Sequence, residues 1–394
     1  MRLRVIRRML LLFVSLVCGC SNDHSQPTTP SASTVTILVD RNNPNAVAAP
    51  CGSTDAVCAS ITDGLRSAEQ VRDGIPTIVV KPGIYDAEPA YPIKITFPVI
   101  LKSDTAMLTN YAISGETPPV TLMIPAETDG MLIMSNDVTI EGLLFDYGGS
   151  TRHPTAIQVA DRGHLTMRST QIRLRSGRGY TLEIKKNSHA TIEQSILGET
   201  VIDSAGHLTI RDSAVQGSEI SISGGSLVLH RNTIEATITE WDSSYDGDGI
   251  TVQTEIAYNT IFGRMLLTDG KILLKGNSIP SNDSFCTSGI GCTSKRDSNI
   301  LINIVTSRIP AVQVWAFKKS TQATFTDNMI KGSLGLMGPL SATLVSNRVG
   351  TVSCGYDPER GEPNIRTDGR NMLLDSTISL DCNGLPSEPG TNAF

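Results

Sequence analysis

Aromatic side chains are scarce, at 5% of 394 residues with only two tryptophans. Charged residues make up 18% of the chain and the formal net charge is −6; soluble domains usually carry about 25% charged residues. So thin and slightly anionic a set of side chains excludes bulk electrostatic binding of DNA or RNA. One short stretch apart, there is no long apolar run, so this is not a multi-span membrane protein. No CxxC or HxxxH spacing occurs, which removes the common zinc frameworks. Apolar residues almost never recur at a spacing of 3.6, which excludes helical bundles and helical repeats. What is plentiful is β-branched: 40 Thr, 37 Ile and 24 Val, roughly a quarter of the chain. Such residues are stiff at χ1 and favour strands. The composition implies one long, strand-rich domain with a polar surface of low charge.

The short apolar stretch sets the expected compartment. Arg2, Arg4, Arg7 and Arg8 precede an apolar run from Met9 to Val17. A basic segment before a short apolar one is an export signal, and this run is too short to span a bilayer. It ends in Val17-Cys18-Gly19-Cys20, which resembles the bacterial lipobox. The resemblance implies cleavage before Cys20, lipidation of that residue and a membrane partner reached through its acyl chains. Each buried acyl CH₂ contributes about 0.8 kcal/mol, so several chains anchor stably. Ser21, where an Asp would signal retention, implies the outer membrane of a bacterial envelope. Residues Ser21 to Ser33 are rich in Ser, Thr and Pro and are expected to form a flexible tether. Loss of the four leader arginines takes the formal charge from −6 to −10.

Export agrees with the cysteines. Cys18 leaves with the leader and Cys20 carries lipid. Six remain, and their proximity in sequence favours the pairs Cys51–Cys58, Cys286–Cys292 and Cys354–Cys382 in an oxidising compartment, among 15 connectivities that six cysteines allow.

A short pattern recurs through the middle: alternating apolar residues, a polar pair, a pivot Asn, Ser or Thr, then Ile or Val. It appears as LTMRSTQI (165–172), ATIEQSIL (190–197), LTIRDSAV (208–215), LVLHRNTI (227–234), TEIAYNTI (254–261), ILLKGNSI (272–279), ATFTDNMI (323–330) and ATLVSNRV (342–349), with a degraded copy LLDSTISL at 373–380. Pivots recur every 18 to 29 residues, the period of a solenoid. Two short strands flanking a polar corner predict an all-β, right-handed parallel β-helix of about eleven or twelve coils. Asn232, Asn259, Asn277, Asn303, Asn328 and Asn347 are expected to form a broken ladder. Each amide would bond the next coil, and each Asn would tolerate left-handed backbone angles.

A distinct block precedes the repeats. Val35 to Asp40 predicts a strand, and Pro50 to Ser53 a turn. Ser60-Ile61-Thr62-Asp63 starts a helix in capping-box spacing, with Ile61, Leu65, Ala68 and Val71 on one face. TIVVKPGIYD (77–86) predicts a strand and a Pro-Gly turn, followed by the strands of PIKIT and PVILKS (92–103). This order resembles the start of pectin-lyase-like β-helix proteins, most of all the bacterial family called domain of unknown function 1565. The resemblance implies a solenoid whose open end is covered by the helix near Ser60. The expected organisation is a lipoprotein signal peptide (1–19), a tether (20–34), a cap with first coils (35–103), β-helix coils (104–380) and a C-terminal tail (381–394).

The resemblance also implies polysaccharide chemistry, but the residues do not supply it. The NTD, DD, GHG, RIK and DPHD runs of superfamily enzymes are absent. Asn259 to Gly263 echoes a methylesterase segment with Asn where a carboxylate nucleophile is needed. The catalytic residues are therefore unassigned, and enzyme activity is not the leading expectation. Asp242, Asp246 and Asp248 form an oxygen-rich stretch suited to Ca²⁺, the one cofactor considered. Trp241 and Tyr245 beside them could stack on a sugar. Arg173 and Arg175 project from one strand face within a basic cluster of Arg162, Arg168, Arg178, Lys185 and Lys186, which could read an anionic glycan. His153, His164, His189, His207 and His230 are expected to be scattered, lone surface residues. The leading expectation is a lipid-anchored envelope protein that binds carbohydrate or a surface partner without turnover. Its rivals are a polysaccharide lyase, hydrolase or epimerase and a structural envelope component. Metabolic labelling with a palmitate analogue tests the anchor: the wild-type protein takes up label and Cys20→Ala does not.

Overall fold

Leu165 and Met167 point into the interior, while His164, Thr166 and Arg168 of the same strand point out. The same alternation places Ala190 and Ile192, Leu208 and Ile210, and Leu227 and Leu229 inside. A strand buried on one face has this period of two. The strands pair in parallel and in register, so that Leu165, Ala190, Leu208 and Leu227 stack as one interior column. These features belong to a computed structural model that describes residues 35–105, 109–148, 153–160, 162–176, 178–198, 201–240, 253–267, 271–280, 290–293, 301–316, 321–355, 361–368, 370–374 and 382.

The architecture is the parallel β-helix that the repeats predict. Among the described residues there are three parallel sheets, and the coils as far as Thr260–Ile261 visit all three in turn. The first sheet runs from Thr36–Val39 to Asn364–Thr367 and has fourteen strands. The second, of eight strands, runs from Gly83–Tyr85 to Thr260–Ile261. The third runs from Ile93–Ile95 to Met372–Leu373. Fourteen strands in the first sheet exceed the eleven or twelve coils expected. The surplus lies at the N-terminal end, where Thr36–Val39, Thr77–Val80 and Val99–Ser103 stack without a polar pivot. A count based on pivots misses them.

Helix α1 (Ile61–Ala68) buries Ile61, Leu65 and Ala68 beside Thr36–Val39 and Thr77–Val80. Its Gly64 allows a close approach, since a Cβ there would lie 2.8 Å from Val39 Cγ2. Ser60 caps the helix as its spacing predicts: Oγ accepts from the Asp63 N–H at 3.0 Å and donates to Asp63 Oδ2 at 2.6 Å. Glu88 adds a second cap from 27 residues away, accepting from the Ile61 and Thr62 N–H groups at 2.9 and 2.8 Å. A carboxylate there also meets the positive end of the helix dipole. The disulfides Cys51–Cys58 and Cys354–Cys382 form as their spacing favours. Cys286 lies outside the described residues, and with it the pair Cys286–Cys292.

The corner that ends the first-sheet strands carries a buried polar ladder. Thr170, Ser195, Ser213, Asn232, Asn259, Asn277, Ser307, Asn328, Asn347 and Asn371 are each no more than 3% exposed. The backbone N–H of each donates to the side-chain oxygen of the next, at 2.8 to 3.3 Å, without a break. Each Asn also reaches back, as when Asn259 Nδ2 donates to Leu229 O at 2.9 Å and Asn347 Nδ2 to Phe325 O at 2.8 Å. The ladder is therefore continuous, where a broken one was expected. Asn303 is not part of it: it lies inside the strand Leu301–Val305, and Ser307 holds its rung. The last rung is Asn371, ahead of the degraded repeat. The left-handed angle also falls one residue earlier than expected. Ser169, Gln194, Asp212, Arg231, Tyr258, Gly276, Thr306, Asp327 and Ser346 take φ between 47° and 61°, which turns the following side chain inward. At Gly276 a close approach adds a reason of its own, since a Cβ there would lie 2.7 Å from the Tyr258 ring.

A buried donor or acceptor left alone costs about 1–3 kcal/mol. Asn259→Leu orphans the Asn232 N–H and the Leu229 carbonyl together, so it should lower stability by about 3 kcal/mol. Asn303→Leu, on the half-exposed strand face, should stay within about 0.5 kcal/mol. Denaturant titration of the two variants checks the contrast.

Candidate binding face

Register turns a residue type repeated in sequence into a column in space. On the outer face of the first sheet, His164, His189 and His207 stand in successive coils, followed by Ser226. Strands about 4.8 Å apart bring the rings together: the centroids of His164 and His189 are 4.4 Å apart and edge-on, and those of His189 and His207 are 4.4 Å apart and stacked. His207 Nδ1 lies 2.8 Å from Ser226 Oγ. Burial, then His207, then His164, holds the His189 imidazole below its ordinary pKa.

Two residues along, Thr139, Thr166, Thr191 and Thr209 form a second, half-buried column. Two further along stands a third: Lys102, Glu141, Arg168, Glu193, Arg211 and His230, alternating in sign until the last pair. Arg168 bridges its neighbours, with Nε 3.1 Å from Glu193 and Nη1 3.8 Å from Glu141. Such exposed pairs are worth about 0–1 kcal/mol each; their larger effect is to keep the column near neutral. At the adjoining corner Arg231 grips Asp212 with two bonds of 2.6 Å, and this hydrogen bonding holds the Asp212 carboxyl below its usual range. Tyr258, half exposed, packs its ring against His230 at 5.4 Å and under Lys275 Nζ at 5.6 Å.

The histidines were expected to be scattered, and three of them are not. Their spacings of 25 and 18 residues equal the coil lengths at those positions, so register is kept. The legible signal is that His heads three repeats: HLTMR, HATIE and HLTIR.

The basic cluster is divided among the sheets. Arg168 belongs to the first-sheet face. Arg173 and Arg175 leave one face of the second sheet, where both bind the buried Asp146: Arg173 Nη2 at 2.5 Å and Arg175 Nε at 3.2 Å. Arg175 also donates to Ile124 O at 2.8 Å. Lys185, at the end of the third-sheet strand Tyr180–Ile184, is paired with Glu183. One stripe of cations is thus replaced by three local arrangements.

The third sheet carries a feature that motif searching passed over. Glu183 and Asp203 are neighbours in register. Burial, then Glu183, raises the Asp203 carboxyl above its usual range, while Gln158 and Lys185 hydrogen-bond Glu183. Glycoside hydrolysis uses two carboxylates flanking a bond. These two rise side by side from adjacent strands of one sheet face. A groove of about 500 Å³ lies between α1 and the first coil, lined by Leu65, Arg66, Tyr91, Ile93, Lys94 and Phe97.

Cys20, Trp241, Asp242, Tyr245, Asp246 and Asp248 lie outside the described residues. Among the described residues, no group of three or more His, Cys, Asp or Glu is placed to hold a metal ion, and no helix is long and apolar enough to cross a membrane. The chain matches no family model, no curated protein and no solved structure.

The histidine ladder formed by His164, His189 and His207 makes stability depend on pH. The native pKa of His189 lies below the unfolded value of about 6.5. The native state therefore binds fewer protons, and stability is fully present above about pH 6.5 and lost as pH falls through the lowered native value. Between pH 7.5 and pH 5 the melting temperature should fall further for the wild-type protein than for His189→Gln.

Proposed function

We propose that this protein is a lipid-anchored envelope component that binds an extended carbohydrate polymer along the outer face of its first sheet, without turning it over. The observation that carries this reading is the repetition of that face. Three successive coils present an imidazole at one position and a threonine two residues on, at the strand spacing. A polymer running parallel to the solenoid axis meets the same groups at every unit, so weak contacts act together. An open sheet face suits a long chain better than a small molecule, which needs a concave site. The acyl group on Cys20 and the tether after it would hold the solenoid at the outer membrane, where such polymers lie.

A second reading rests on Glu183 and Asp203: a glycan-cleaving enzyme that uses the raised Asp203 as a proton donor and Glu183 as its partner. Fold analogy adds little to it.

A glycan array probed with the soluble domain, together with reducing-end and unsaturated-sugar assays on the ligands it selects, separates the two readings. Binding without turnover is expected. Replacing Thr166, Thr191 and Thr209 together by Val should weaken binding by about tenfold or more. Gln313→Ala, on the third sheet, should leave it unchanged. Turnover abolished by Asp203→Asn would install the enzyme reading instead.

A further inference from the structure

The first-sheet face holds a column whose charge changes between pH 5 and 8, set among arginines, lysines and carboxylates whose charges do not. His164, His189 and His207 stack at 4.4 Å between centroids. Each of the three histidines is exposed at the head of its strand, where a ligand lying along the axis would pass over all three.

The fixed charges around the column define what it can hold. Asp137 precedes the strand Val138–Glu141, one coil before His164. Arg162 and Lys186 stand in the turns that lead into His164 and His189. Glu141, Arg168, Glu193 and Arg211 stand across the threonine column, with His230 beyond them. Lys185 is turned to Glu183 on the third sheet. Among these described groups, the four cations Arg162, Arg168, Lys186 and Arg211 face the three carboxylates Asp137, Glu141 and Glu193, for a formal +1. Protonating the ladder raises that to +4 on one face of a chain whose formal total is −6. A face that gains positive charge against an anionic background selects anions.

Resting on the reading of this face as the ligand face, we infer that its polymer is anionic and that the ladder is a proton-operated clasp. The ligand class is an extended glycan with a carboxylate or sulfate on its repeating unit, gripped when the three imidazoles are charged and let go when they are neutral. The stacking supplies the gating. Imidazolium groups this close repel one another, which adds to burial in holding His189 below its ordinary pKa. Anions lying along the column screen that repulsion, so proton uptake and ligand binding reinforce each other, each raising the other's affinity by the same factor. The threonine column beside it donates to the sugar ring at either pH, and the ladder adds the charge-dependent part.

The test uses two polymers with one backbone, dextran and dextran sulfate, titrated calorimetrically at pH 7.5 and 5.5 at a single ionic strength. Wild-type protein should bind dextran sulfate about tenfold or more tightly at pH 5.5 than at pH 7.5, with no such gain for dextran. The triple variant His164→Gln/His189→Gln/His207→Gln should bind dextran sulfate with the same affinity at both pH values, and His189→Gln alone should lose part of the gain. All three side chains are exposed, so the variants should fold, which circular dichroism and melting verify. Equal wild-type affinity at the two pH values, or an undiminished gain in the triple variant, overturns the clasp and leaves the ligand face standing. If neither dextran nor any glycan on the array binds at either pH, the ligand face falls as well.

Discussion

Every coil must bend out of one sheet and into the next, and at that bend a backbone N–H loses its strand partner inside a dry interior. Left alone, that group costs more than a typical hydrogen bond returns. The ladder from Thr170 to Asn371 answers this at each corner with a side-chain oxygen from the following coil. Much else in the structure depends on it. The left-handed residue before every rung but the last, Asn371, turns that rung inward. The apolar columns on either side stay in register because the corner is held at one height per coil. With the corner fixed, differences in coil length fall in the other turns, which accounts for spacings from 18 to 30 residues between bonded rungs.

Much of this was legible in the sequence. The pivots of LVLHRNTI and ATLVSNRV name their rungs, Asn232 and Asn347, and the capping box at Ser60 names the start of α1. What escaped was what sequence distance hides. Glu88 caps a helix 27 residues behind it. Ser307 was passed over for Asn303 because an asparagine is a louder signal than a serine, although either can present an oxygen at that position. The first coils carried no pivots and were undercounted. The candidate face was the least legible part. Reading His164, His189 and His207 as lone residues ignored that their spacings are themselves repeat lengths, and the Glu183–Asp203 pair fits no motif because its two members come from different coils.

Register explains why function in such a fold is hard to find from motifs. In an enzyme pocket a few unlike residues converge from different elements. Here like residues align along an axis, so the unit of recognition is a column. A single Arg or His on this surface is ordinary; three in register form a group in which burial and the two flanking rings hold the middle one, His189, below its ordinary pKa. The same rule explains Arg173 and Arg175. Both leave one strand face, and Asp146 on the neighbouring strand takes both guanidinium groups.

The ladder also has a direction. A rung's N–H always points to the next coil, and the next coil's asparagine always reaches back to the carbonyl behind it. Each corner is therefore completed by residues that lie later in the chain. The two ends of the stack are consequently unequal. Removing coils from the N-terminal side takes away the carbonyl to which an asparagine amide reaches back, whereas trimming from the C-terminal side takes away the oxygen that a buried backbone N–H needs. The stack is therefore polar along its axis, each coil from Thr170 on offering a backbone donor to the coil that follows it.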